Sequence, residues 1–117
     1  MPYQKLLDAF VRSQPGAQGA LLLDSEGELV VEAGARDYRH RLIGAYQGIA
    51  LATAQKTATR YAAGQVRCIH CRYSWGHVVL RPLKDGYYFV FSLAPSARIA
   101  DAIEVSGEVQ DELNVHL

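Results

Sequence analysis

Gly19-Ala20-Leu21-Leu22-Leu23-Asp24-Ser25-Glu26-Gly27-Glu28-Leu29-Val30 is the stretch on which the reading of the fold turns. Its first apolar run is too short for a free-standing helix. The Asp24 to Gly27 break and the second apolar run after it read as a β-hairpin. Upstream, Tyr3, Leu6, Leu7, Phe10 and Val11 recur at helical spacing after Pro2 and stop at Pro15-Gly16, which predicts a short amphipathic helix. Downstream, the chain runs from about Asp37, a residue suited to cap a helix, to Gly64 without a proline. Leu42, Tyr46, Ile49, Ala50, Ala54, Ala58 and Tyr61 stand there at helical spacings, so this is the longest expected element.

Three strand-like runs follow, Val66 to Tyr73, His77 to Leu83 and Tyr87 to Leu93, broken at Ser74-Trp75-Gly76 and Lys84-Asp85-Gly86. Pro95 then opens a last helix with an apolar stripe of Ile99, Ala102, Ile103, Val109 and Leu113, interrupted by Gly107. The expected order is α-β-β-α-β-β-β-α: an α/β (α+β) fold with one five-stranded antiparallel sheet and flanking helices, and no linker long enough to divide residues 1–117 into two domains. Leu21 to Leu23 and Tyr87 to Phe91 are apolar at both parities, so these strands belong in the middle with both faces covered. Val66 to Tyr73 carries Arg67, His70 and Arg72 among apolar residues, a composition that suits an edge.

The 117 residues hold 12 Lys and Arg against 12 Asp and Glu, so no global field recruits nucleic acid or anionic lipid. No apolar run approaches the roughly 20 residues needed to span a bilayer, so membrane insertion is not expected. Nothing at the N-terminus resembles a secretory signal, and the expected location is cytoplasmic, where Cys68 and Cys71 stay reduced.

The stretch from Gly19 to Val30 resembles the opening hairpin of the roadblock/LC7 proteins: apolar residues, Asp, a two-residue gap and Gly. Arg81-Pro82-Leu83-Lys84-Asp85-Gly86-Tyr87-Tyr88-Phe89-Val90 is similar to the last hairpin of that family, which belongs to the wider profilin- and longin-like architecture. The element order matches over essentially the whole chain. The resemblance implies a dimer, homomeric or heteromeric, in which the long second helices pack together and the third strands pair. It also implies a partner: a small Ras-like GTPase in prokaryotic members, and dynein or GTPase and kinase scaffolds in eukaryotic ones. Unlike the gliding-motility regulators of the family, the sequence has no substantial extension after its last helix, so the resemblance implies GTPase binding without implying activation.

Gly44, Gly48 and Ala52 repeat every four residues on the long helix, a flat strip that would let another helix or the protein's own sheet approach closely. With Val66, Cys68 and His70 of the edge strand they make up the expected dimer interface, and on that expectation Gly48→Leu weakens association more than it weakens the fold. Cys68-Ile69-His70-Cys71 resembles a metal or redox motif. On a regular strand, however, residues three apart point to opposite faces and cannot share a metal or disulfide. Cys68 and His70 would share a face, and across a twofold two copies could offer two Cys and two His. Packed thiols are the simpler reading. Arg36, Arg39 and Arg41, with His40, crowd the start of the long helix, where the macrodipole disfavours positive charge. They are candidate contacts for an acidic partner or simply solvated.

Neither a phosphate-binding glycine loop, nor a nucleophile elbow, nor a His-Glu-x-x-His helix occurs, so no cofactor and no enzymatic activity are expected. Tyr87, Phe89 and Phe91 alternate like a base-stacking platform but suit a core better. The expected function is a homodimeric, non-enzymatic adaptor that binds a Ras-like GTPase. The alternative is a small-molecule-binding sensor domain on a similar sheet.

Overall fold

The structure, a computed structural model, describes residues 2–34 and 38–117. Its elements are α1 (Pro2–Ser13), β1 (Ala17–Leu23), β2 (Leu29–Gly34), α2 (Tyr38–Arg60), β3 (Ile69–Tyr73), β4 (Gly76–Pro82), β5 (Tyr88–Leu93) and α3 (Ile99–His116). All neighbouring strands are antiparallel, in the order β2-β1-β5-β4-β3. The order of elements, the central positions of β1 and β5 and the edge position of β3 are as the sequence leads one to expect. Asp37, the expected cap of α2, lies outside the described residues.

The opening hairpin closes because the Asp24 carboxylate accepts the backbone N–H groups of Glu26 and Glu28, at 2.9 and 3.0 Å. Gly27 takes the left-handed conformation, φ 81°, that a side chain would resist. Alternation along the strands then sorts the core into two layers. On one face, Ala20, Leu22, Val79, Phe89, Phe91 and Leu93 are buried under Leu7 and Phe10 of α1 and Ala102 and Leu113 of α3. Phe10 meets Phe89 and Phe91 edge-on, with ring centroids 5.5 and 4.7 Å apart, so the alternating aromatics of β5 are core. On the other face, Leu21, Leu23, Val78, Leu80, Tyr88 and Val90 lie under α2, which contributes Leu51 as its buried apolar side chain.

Two boundaries differ from expectation. The long helix ends at Arg60, where Ala62 enters the left-handed region at φ 51° and the Ala63 N–H reaches back to the Ala58 carbonyl at 2.8 Å. That is a left-handed helix stop made without glycine. The third strand begins at Ile69, three residues after Val66. Extending the register of Ile69 opposite Leu80 would set Arg67 opposite Pro82, which has no N–H to offer the ladder. The Arg81 guanidinium takes the Arg67 carbonyl instead, at 3.2 Å.

Arg81 is itself buried and fastens α3 to β4. It donates to Ser106 Oγ (3.0 Å), Gln110 Oε1 (3.2 Å) and the Ile103 carbonyl (2.6 Å), while Gln110 Nε2 donates to the Pro82 carbonyl at 2.6 Å. Gly107 lies beside this guanidinium, which a Cβ at that position would meet at an ordinary contact distance of 3.4 Å.

Candidate functional site

The sheet-facing side of α2 sets two glycines among the buried side chains of His40, Gln47 and Leu51. Gly44 packs on Leu21, whose methyl group occupies the place a Cβ would need. Gly48 packs on Tyr88, whose hydroxyl would lie 2.5 Å from a Cβ and donates to the Gly44 carbonyl at 3.3 Å. Burial, with the Asp24 charge adding to it, pushes the Tyr88 hydroxyl upward in pKa, so it stays a donor. Both glycines are thus taken up in the packing of α2 on the sheet. The close approach that Gly44 and Gly48 permit is to the protein's own sheet, and Ala52 is exposed at the flank of the same side.

With the small residues turned inward, the large ones turn out. Leu42, Tyr46 and Ile49, spaced four and three residues apart, form one outward stripe with 37, 66 and 64% of their surface exposed. Beside this stripe lies the β3–β4 hairpin, where Tyr73 and Trp75 stack with ring centroids 5.1 Å apart and planes 6° from parallel. Arg39, Leu42, Tyr46, Tyr73 and Trp75 enclose a shallow apolar cleft of about 390 Å³. Gln47 clamps the two elements from below: its amide donates to Tyr73 Oη at 3.1 Å, and its carbonyl oxygen receives the Cys71 thiol at 3.9 Å. The result is one face made of the α2 stripe, the aromatic hairpin and the free edge of β3.

The other expected interface residues divide. Val66 and Cys68 precede β3 and turn their side chains into the protein's own layers, Val66 under α2 and Cys68 against the α1 and α3 layer. Both stay partly exposed. Burial pushes the Cys68 thiol up, with the Arg81 guanidinium pulling the other way, so it is not an activated thiolate. His70 does stand on the edge strand, but its imidazole is engaged within the chain, with Nε2 2.9 Å from His77 Nδ1. His77 Nε2 lies 3.3 Å from the Pro95 carbonyl, which can only accept, so His77 carries its proton on Nε2 and receives one from His70 on Nδ1. Among the described residues, no group of three or more His, Cys, Asp or Glu side chains gathers around a possible metal position.

The arginine cluster divides as well. Arg36 lies outside the described residues. Arg41 is held by Glu32 of β2 in a two-pronged ion pair, with Nε to Oε2 at 3.0 Å and Nη2 to Oε1, which ties α2 to β2 while the side chain stays about half exposed. Arg39 lies exposed at the cleft. The residues missed by sequence reasoning are Leu42, Tyr46 and Ile49 as surface and Tyr73 and Trp75 as a stacked pair. The signal available for the first three was the glycine strip itself: if Gly44 and Gly48 face inward, residues half a turn away face outward.

The fold is that of roadblock/LC7 domains. A roadblock/LC7 domain from Streptomyces avermitilis superposes with a TM-score of 0.80 at 16% identity, over 97% of this chain and 92% of that one. The MglB protein of Myxococcus xanthus superposes with a TM-score of 0.86 at 12% identity, over 97% and 93%. The gliding protein MglB of Thermus thermophilus gives 0.83 at 14% identity, over 96% and 85%. In sequence, the chain matches no protein-family model and no curated protein at a significant level. No helix among the described residues is long and apolar enough to cross a membrane.

Proposed function

We propose that this chain is a roadblock/LC7-family regulator: a non-enzymatic, cytoplasmic adaptor that self-associates through the α2–β3 face and binds a small Ras-like GTPase. The observation that carries the reading is the outward stripe of Leu42, Tyr46 and Ile49 beside the open β3 edge and the Tyr73–Trp75 stack. Contiguous exposed apolar surface next to unpaired strand edges marks an interaction site, because both the apolar area and the free backbone groups gain from being covered. The superposition on gliding-protein structures supports a regulatory role over a catalytic one. The sensor alternative rests on fold analogy alone.

The test is the solution mass by light scattering over a concentration series. The wild type is expected to be a dimer, and Ile49→Glu, which places a charge in the middle of the stripe, is expected to shift the dissociation constant upward by at least about tenfold, the scale of a central interface residue. A wild type that stays monomeric at every concentration overturns the assembly.

A further inference from the structure

The ladder between β3 and β4 stops where Ile69 pairs with Leu80, two residues before β4 ends at Pro82. At that corner the sheet is one strand short, and α2 from one face and α3 from the other reach around its rim to enclose a cleft of about 600 Å³. Gln55 and Thr59 of α2, Gln65 and Arg67 of the connection into β3, Lys84 of the turn after β4 and Asp111 of α3 line it. All six side chains are exposed, and none has a hydrogen-bond or ion-pair partner among the described residues. Behind the wall stands Arg81. Its buried guanidinium donates to Gln110 Oε1 and the Arg67 carbonyl, both from residues that line the cleft, and to Ser106 Oγ and the Ile103 carbonyl. Each of these acceptors is neutral, and among the described residues no carboxylate lies within ion-pair distance of Arg81. Neutral acceptors offset only part of what burying a cation costs, and a nearby anion offsets more.

We infer that this cleft binds a small organic phosphate, a phosphate monoester up to the size of a mononucleotide. Arg67 and Lys84 against Asp111 leave one positive charge at the rim, and Arg81 supplies a second behind it. A phosphate monoester carries a charge of about −1.5 to −2 near neutral pH and matches this balance, whereas a single carboxylate leaves half of it unmatched. The planar fork of Arg67 and the point charge of Lys84 both suit phosphate oxygens. Val66, Pro82 and Leu83 give the same cleft an apolar stretch of wall, and the Gln55 and Gln65 amides offer donors and acceptors to the organic part of the ester. The volume falls within the range of small-ligand clefts. None of the lining residues belongs to the Leu42–Tyr46–Ile49 stripe, the aromatic hairpin or the β3 edge, so the site stands apart from the face proposed for assembly and does not depend on it.

The test uses the full chain and a panel of esters, namely adenosine and guanosine monophosphate, glucose phosphate and glycerol phosphate, read by thermal shift and then by calorimetry. At least one ester is expected to raise the melting temperature and to bind with a dissociation constant below about 1 mM, with adenosine, citrate and inorganic phosphate at least about tenfold weaker. For that ester, Arg67→Glu/Lys84→Glu is expected to weaken binding at least about tenfold, and Asp111→Asn, which removes the like charge, to tighten it about threefold. Lys5→Glu/Arg12→Glu on α1 makes the same change of net charge away from the cleft and is expected to leave the affinity as it is. Melts without ligand confirm that the variants are folded. The proposal is overturned if no ester binds at about 10 mM, if adenosine, citrate or inorganic phosphate binds as tightly as the best ester, or if the cleft reversal costs no more than the α1 reversal. Weaker binding by Asp111→Asn overturns it as well, and so does a phosphoserine peptide that binds more tightly than every ester, since that would make the ligand a protein.

Discussion

On one face of the sheet, α1 and α3 press Leu7, Phe10, Ala102 and Leu113 onto Leu22, Val79, Phe89 and Phe91; on the other, α2 covers Leu21, Leu80 and Val90 with Leu51 and two glycines. The first layer is held by interdigitated side chains and the second by close approach of helix backbone to sheet. The difference has a functional consequence. The glycines bring α2 close enough to the sheet that Leu51, with Ile43 partly buried beside it, suffices as its apolar contribution, and Leu42, Tyr46 and Ile49 stay on the outside. The same molecule thus has a filled side and a side that still carries apolar surface to cover.

The comparison breaks most readily at the centre of the filled side. Phe89→Ala removes a fully buried ring in contact with Phe10 and Phe91 and is expected to cost about 3–5 kcal/mol, a large share of what a domain of this size holds in reserve. Leu51→Ala, a truncation under α2, is expected to cost about 2 kcal/mol, since a leucine side chain leaves a smaller cavity than a phenylalanine ring. Urea unfolding of the two variants beside the wild type checks this. Equal losses would mean that the two layers are equally packed.

Adjacent positions on α2 sharpen the contrast at smaller scale. Gly48→Leu drives a side chain into the Tyr88 ring and is expected to cost about 1–3 kcal/mol of monomer stability through overpacking. Ile49→Glu, one residue on and facing solvent, is expected to stay within about 0.5 kcal/mol. This reverses the expectation drawn from the sequence, where Gly48→Leu was an interface probe. A Gly48→Leu protein with wild-type unfolding and altered solution mass would restore the strip to the interface.

The reversal marks where the sequence stops being informative. Short apolar runs and turn residues identify every strand, because run length and the Asp24 and Gly27 chemistry are local. For α2, Leu42, Tyr46 and Ile49 fit one helical stripe and Gly44 and Gly48 another, and either could face the sheet. What decides between them is the space above Leu21 and Tyr88, which is set by the other strands. The start of β3 hinges on Pro82 standing opposite Arg67, a pairing invisible until register is known. Likewise the arginine cluster looks uniform in sequence, and only the position of Glu32 across the hairpin separates Arg41 from Arg39.

The smallest expected effect lies at the free edge itself, where the two sides meet on β3. His70 donates to His77, and burial holds its imidazole below the ordinary histidine value, with His77 and Arg72 acting in the same direction. A histidine with a lowered pKa in the folded state binds fewer protons than in the unfolded chain. Its contribution is therefore fully present above the unfolded value of about 6.5 and is lost as pH falls through the depressed folded value. His70→Gln removes that titration while keeping an amide able to donate to His77 Nδ1. Thermal melts of wild type and variant at about pH 7 and about pH 5 should show the wild type losing more on acidification than the variant, by a small margin because His70 is largely exposed. Parallel losses would mean that the pair carries no linkage. A larger loss in the variant would mean that protonation strengthens the contact, as it would if the shared proton, and not the neutral pair, held the edge strand to β4.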